Sequence, residues 1–374
     1  GHMMQSLTKK AEQGGWMPIF PCWNQYTAAM IGDHVASVVA DAYAKGIRNF
    51  DVQSAYQYLR KNAFEANKDP KSYESGKGRR GMESYLKYNY IPLEDSVWQA
   101  FHKREQTSRT LEYSYDDFCL STLAKALGHT EDQKTLALRA ANFRNVIDPQ
   151  TGWARGRYAD GRWSPNFNPF ALRASFITEG SPAQYTWFVP HDVGGLMKIM
   201  GGRAPFIAKL DSMFEKGYYW HGNEPGHHTA YLYSYGGAPW KTQRWVRQLI
   251  KEEYTADPGG LSGNEDGGQM SSWLVFSMMG FYPVCPGKPV YILGSPSFNE
   301  LSVTMPNSKL FKIIATDNSP ANAYIQSASL NGKPFSKPYL THDQLIKGGT
   351  LVLKMGPKPN ETWGNNAPEL SSDF

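Results

Sequence analysis

Near residue 286 the sequence changes its period, and few architectures accommodate what lies on both sides of that change. Before it, apolar residues recur at helical spacing. In segment 27–47, Met30, Val35, Val38, Val39 and Ala42 share one face and Gly46 supplies a stop. Segment 111–130 repeats the plan with Phe118, Leu120, Leu123, Ala126 and Leu127, ended by Gly128. Further helices are expected over 130–148, 192–202, 206–214, 226–235, 240–254 and 267–280, and Thr130-Glu131-Asp132-Gln133 has the form of a capping box. After 286, short β-branched runs such as "LSVTM", "FKIIAT" and "TLVLKM" alternate with turns at Pro306-Asn307 and Asn331-Gly332.

The expected fold is therefore mainly α. Helix hairpins without a clear repeat suggest an (α/α) toroid, here an incomplete (α/α)6 barrel, followed by a small all-β region. Residues 1–5, opening on "GHM", read as a vector scar and leader, 6–285 as the helical domain and 286–374 as the β-rich region.

A net charge of +5 over 374 residues, with basic clusters only at 77–80 and 241–251, forms no basic stripe and argues against nucleic-acid binding. Three cysteines permit at most one disulfide. No apolar run reaches the roughly 18 residues of a membrane helix. The aromatic share of 14% is high, and such rings form platforms for sugars as well as core.

Five loops share a composition of Gly, Asn, carboxylate, His and Trp: 19–34, 76–81, 177–195, 218–228 and 260–269. Loops held by a rigid helical scaffold commonly carry function. Glu179 precedes Gly180-Ser181-Pro182 in a turn. A carboxyl near Trp187 and Phe188 would be partly desolvated, which suits a general acid, although a helix cap or loop ion pair is the commoner explanation of an isolated glutamate. Asp266, between Glu265 and Gly267-Gly268, has room to approach a ligand, and it also precedes a helix that favours an acid at its start. Asn223 and Glu224 offer the oxygen ligands that calcium prefers, while the adjacent His227 and His228 and the absent H-E-x-x-H spacing disfavour zinc. Asp33, with Arg79 or Arg80, supplies polar groups able to fork onto vicinal hydroxyls.

The stretches "MIGDH" with "DAYAKGI", "TLEYSYDDF", "QYTWFVPHDVGGL", "NEPGHHTAYLYSYGGAPW", "GLSGNEDGGQMSSW" and "GFYPVCPG" together resemble glycoside hydrolase family 92, the calcium-dependent inverting exo-α-mannosidases. The resemblance implies Glu179 as general acid, Asp266 as the base that activates water, and a Ca2+ corner at Asn223 and Glu224. It further implies Asp33, Arg79, Gln184, His221 and Glu265 as groups around a terminal mannose of a glycan substrate. In α-1,2-specific members a histidine-glutamate pair is expected before "NEP"; here it is His221-Gly222, which leaves the +1 subsite short of a carboxylate. Position 264 is Asn where some members carry a second Asp. Members are roughly twice this length, with an N-terminal β-sandwich, so association with that portion is expected, as is a periplasmic or extracellular parent protein. The alternative is a glycan-binding fragment with little turnover.

Overall fold

The computed structural model describes residues 1–366. The chain divides into two compact units, Gly1–His191 with Pro286–Lys288, and Asp192–Cys285 with the chain from Pro289 on. The compact division thus falls at residue 191, inside the segment expected as one helical domain. Strands predominate from Phe281 on.

The first unit contains α1 (His2–Gly14), α2 (Val35–Ala44), α3 (Val52–Phe64), α4 (Pro70–Glu74), α5 (Met82–Tyr88), α6 (Gln106–Leu127), α7 (Thr130–Ala140) and the short α8 (Pro182–Tyr185), with a two-stranded ribbon of β1 (Ile147–Asp148) and β2 (Trp153–Ala154). The leader residues are helical from His2 on. Helix α6 is the axis of this unit: every residue from Gln106 to Ser121 is buried, polar ones included. It ends at Gly128, whose φ of 83° is the left-handed cap geometry that glycine adopts without steric cost. Two expectations need correction. Thr130 is the first helical residue of α7 rather than its cap, and His129 occupies the cap position without a side-chain bond. The capping boxes occur instead at Ser181/Gln184 and Thr341/Gln344. On α2, Val38 is 41% exposed and so does not belong to the buried face.

The second unit contains α9 (Val193–Ile199), α10 (Arg203–Glu215), α11 (Pro239–Glu252) and α12 (Gln269–Met279), then β3 (Phe281–Tyr282), β4 (Val290–Leu293), β5 (Glu300–Thr304), β6 (Leu310–Thr316), β7 (Tyr324–Leu330), β8 (Lys333–Pro334), β9 (Tyr339–Thr341), α13 (His342–Ile346) and β10 (Gly349–Gly356). The strands form a five-stranded sheet, β5-β6-β10-β7-β8, and a three-stranded one, β3-β4-β9. All pairs are antiparallel except β6 with β10. Asn331 and Gly332, at φ 52° and 77°, make the tight turn between β7 and β8 that the Asn-Gly pair predicts. Phe311, Ile313 and Ala315 alternate inward on β6, and Leu351, Leu353 and Met355 do so on β10, building one core with Phe281, Tyr291 and Leu340. The apolar run in α12 is not buried all round. Met270, Trp273 and Ser277 form its buried stripe, and Val275 is 55% exposed. Among the described residues no helix is long and apolar enough to cross a membrane, and the three cysteines are free thiols.

The period-2 burial of β10 makes a direct prediction. Leu353→Ala, which deletes a fully buried side chain on an interior strand, is expected to cost about 2–5 kcal/mol. Lys354→Ala, at the next and exposed position, should stay within about 0.5 kcal/mol. Urea unfolding of the two variants measures the difference.

Candidate active site

Of the expected site residues, Asp33, Arg79, Glu179 and Gln184 lie in the first unit, and His221, Asn223, Glu224, Glu265 and Asp266 in the second.

Glu179 sits on a turn sewn to the start of α6. The Glu105 N–H donates to Ser175 O at 2.9 Å, and the N–H groups of Thr107 and Ser108 donate to Phe176 O at 3.1 and 3.3 Å. The Thr178 N–H donates to Ser108 Oγ, and its hydroxyl to Glu105 Oε2, both at 2.9 Å. Just beyond, Ser181 and Gln184 exchange the two bonds of a capping box. Ser181 is therefore the cap of α8, and Glu179 is not. The Gln184 carbonyl oxygen accepts from the Ser181 N–H at 2.9 Å. Between these anchors Glu179 has φ 49° and a side chain 46% exposed, with Oε1 3.6 Å from His102 Nε2. It is thus half-exposed and stands beside an imidazole, a neighbour that the sequence does not point to.

Asp33 and Arg79 are placed differently from the expectation that they hold substrate. Both side chains are fully buried, and Arg79 Nε donates to Asp33 Oδ2 at 2.9 Å while Nη1 donates to Asp117 Oδ1 at 2.6 Å. Asp117 also takes a two-pronged contact from Arg139 at 2.8 Å. Burial opposes the charge on Asp117, but Arg139 and Arg79 outweigh it and hold the carboxyl below its ordinary range. Asp116, with only Oδ2 engaged by the Asp33 N–H at 2.8 Å, is pushed up by burial. Arg80 points elsewhere, bonding the carbonyls of Lys77, Gly78 and Tyr73.

The same helix presents a group that sequence reasoning missed. Glu112 accepts from the Tyr185 hydroxyl and lies 2.6 Å from His34 Nε2. Removal from water works against a charge on His34, but Glu112 and Asp116 prevail and raise its pKa to about 9. Spacing gave no signal for this pairing, because 78 residues separate the partners.

In the second unit, His221 is not a free ligand. It is buried, with Nδ1 2.7 Å from the Tyr219 hydroxyl and Nε2 2.8 Å from the Tyr254 hydroxyl. Tyr254 donates onward to Met270 O, so its oxygen accepts from His221 Nε2–H and Tyr219 donates to Nδ1. Burial lowers the His221 pKa to about 3, with neighbouring His227 adding to it. His227 is likewise engaged, Nε2 donating to His221 O at 2.9 Å, and burial lowers it to about 4. Both rings pack on Trp273. Gly222 explains why no acid stands beside His221: a Cβ there would meet Ser262 O at 2.6 Å. Gly263 in turn lies against Gly222 O, so two side-chain-free backbones join the 218–228 and 260–269 loops.

Glu265 turns back onto α12, accepting from Ser271 N–H at 3.1 Å and from its hydroxyl at 2.9 Å. Asp266, at φ 45°, is exposed and makes no such bond among the described residues. It is the available carboxylate of its loop. Asn223 and Glu224 open a 3-10 turn, Glu224–Gly226. Among the described residues no three His, Cys, Asp or Glu side chains cluster as a metal site. The donors at this corner are oxygens, and the nearby imidazoles of His221 and His227 are already occupied.

Comparison with known proteins gives the family. Residues 1–357 match the glycosyl hydrolase family 92 catalytic domain, and the chain belongs to that family. A family GH92 α-mannosidase from Bacteroides thetaiotaomicron superposes with a TM-score of 0.88 at 37% identity, over 97% of this chain and 47% of its own. An inverting GH92 mannosidase of the same organism gives 0.89 at 36% identity, over 99% and 51%. An uncharacterized secreted glycosidase of Arthroderma benhamiae is 32% identical over 95% of this chain and 49% of its own. The chain thus spans about half the length of the relatives it matches.

The buried ion network generates a stability prediction. Asp117→Asn leaves two guanidinium groups facing an amide away from water, and should cost about 3–5 kcal/mol. Arg60→Ala, which breaks an ion pair whose arginine is 44% exposed, should cost no more than about 1 kcal/mol. Urea midpoints of the two variants test the ranking.

Proposed function

We propose that this chain is the catalytic portion of an exo-acting, inverting α-mannosidase that removes terminal α-linked mannose from glycans. Membership of family 92 and likeness to two mannosidases support the substrate class. The observation that carries the reading is the state of the acidic loops. Glu179 is held half-exposed on an anchored turn, and of the adjacent Glu265 and Asp266 only the latter is left available. In this reading Glu179 donates its proton to the leaving glycosidic oxygen as that carbon–oxygen bond breaks. Asp266 takes a proton from the water whose oxygen bonds the anomeric carbon. The helices would belong to an (α/α) toroid, and the parent protein would act in a periplasmic or extracellular compartment, as the secreted relative suggests.

Asn223 and Glu224 fit a calcium ion by donor chemistry, since both offer hard oxygens, and the remaining ligands would be carbonyls or water. Bound there, calcium would supply charge that orients sugar hydroxyls. Gly222 leaves no side chain to bond a +1 sugar from that position, which argues against α-1,2 preference.

The half-length match gives one specific reason to weigh a glycan-binding role without turnover. Hydrolysis of α-mannosides by the protein, with and without EDTA, separates the readings, because binding without product would favour the second. Glu179→Gln is expected to lose about 100-fold or more on poor leaving groups and far less on activated aryl mannosides. Asp266→Asn should abolish turnover on both while mannose binding survives. Near-native rates in Asp266→Asn would place the base elsewhere.

A further inference from the structure

His102 lies between two carboxylates. Its Nδ1 is 3.2 Å from Glu105 Oε1 and its Nε2 3.6 Å from Glu179 Oε1. Nδ1 is within hydrogen-bond distance of Glu105, and Nε2 stands at ion-pair distance from Glu179, so a doubly protonated ring would face a carboxyl on each side. Glu105 is itself fixed. Its other oxygen accepts from the Thr178 hydroxyl, one residue before Glu179, and its N–H is bonded to Ser175 O. The His102 carbonyl accepts from Arg109 Nη2 at 3.0 Å, so the ring's backbone is held by α6 as well. The side chains of His102 and Glu105 are each only 14% exposed.

We propose that Glu105 and His102 form a carboxylate–imidazole pair that positions the Glu179 carboxyl and stabilises the negative charge it takes on when it gives up its proton. The inference rests on Glu179 being the general acid. His102 touches neither substrate nor reacting atoms; it is a positioning residue acting through Glu179. The chemistry follows from charge development. As the glycosidic bond breaks, Glu179 changes from neutral acid to carboxylate, and a cation 3.6 Å away favours the later state over the earlier one. Glu105 keeps the ring charged and aimed. The charged groups facing His102 are Glu105, which favours its protonation most, Glu179, and Arg109, which opposes it along with burial; the balance lies above the ordinary histidine value.

The consequence is selective. Leaving groups that need a proton depend on this pair, and those that leave as stable anions do not. His102→Gln and Glu105→Gln should each lower kcat on alkyl or disaccharide α-mannosides by about tenfold or more, with KM unchanged and dinitrophenyl α-mannoside turned over at close to the parent rate. Equal loss on both substrate types, no loss, or a raised KM with kcat intact would overturn the proposal.

A second readout needs no catalysis. The His102 imidazole signals, assigned by their loss in His102→Gln, should titrate above 6.5 and shift to lower pH in both Glu105→Gln and Glu179→Gln. An unshifted titration in Glu179→Gln, with that variant's leaving-group selectivity intact, removes the coupling alone. Equal loss on both substrate types in Glu179→Gln removes the acid assignment, and the proposal with it.

Discussion

The first unit depends on keeping charge inside a helix bundle. Helix α6 brings Glu112, Asp116 and Asp117 into its interior, each buried, and an isolated ion there would cost several kcal/mol. Asp117 is stabilised by two guanidinium groups, Glu112 by a tyrosine hydroxyl and an imidazole, and Asp116 through the Asp33 backbone and a raised pKa. These partners come from α7, α8 and the loops that lead into α2 and α5. Aligning their side chains on one helix fixes the loops that carry them. Packing and electrostatics therefore select the same arrangement, and α6 serves as the reference against which the Glu179 turn is set.

The second unit solves the opposite problem. It buries two imidazoles and keeps them neutral by surrounding them with rings and giving each nitrogen a partner. Trp273 stacks on Tyr254 at 5.8 Å, meets the His221 ring edge-on at 4.3 Å, and donates its indole N–H to His227 O. Such a cluster resists rotamer changes, because moving one ring breaks a hydrogen bond of another. The loop bearing Asn223 and Glu224 rests on it, and the contact between Gly222 and Gly263 ties the Asp266 loop to the same floor.

How much of this the sequence shows follows from what kind of force decides each position. Helix ends and strand alternation are local. The stop at Gly128, the Asn331-Gly332 turn and the inward residues of β6 and β10 are all legible. The burial of Asp33 and Arg79 is not, because charged residues read as exposed unless the partner is known, and Asp117 stands 38 residues from Arg79. His221 reads as available because Tyr254, which occupies its second nitrogen, is 33 residues away. Thr130 reads as a cap from a four-residue pattern, yet packing of α6 on α7 sets the helix start. Some signal for His102 existed, since His102 and Glu105 stand three apart at the start of a helix. The contact with Glu179, 77 positions further along, had none.

Glu105, Glu179 and Asp266 share a backbone geometry that is costly for side chains. Left-handed φ angles are tolerated by glycine and, less well, by asparagine and aspartate. Among the described residues the glutamates in that region are Glu105 and Glu179, at 44° and 49°, the two that flank His102. A turn alone would be met more cheaply by glycine or asparagine at either place, and each strained residue costs on the order of 1–3 kcal/mol. Asp266 shows the same geometry at 45°, with two glycines following it that could have served the turn instead. Eleven other non-glycine residues, Trp23, Val97 and Arg104 among them, share this geometry among the described residues, so the φ angle by itself assigns no role. The roles of the three acids rest instead on the proposed reading, in which Glu179 and Asp266 carry the proton transfers and Glu105 holds the imidazole beside Glu179.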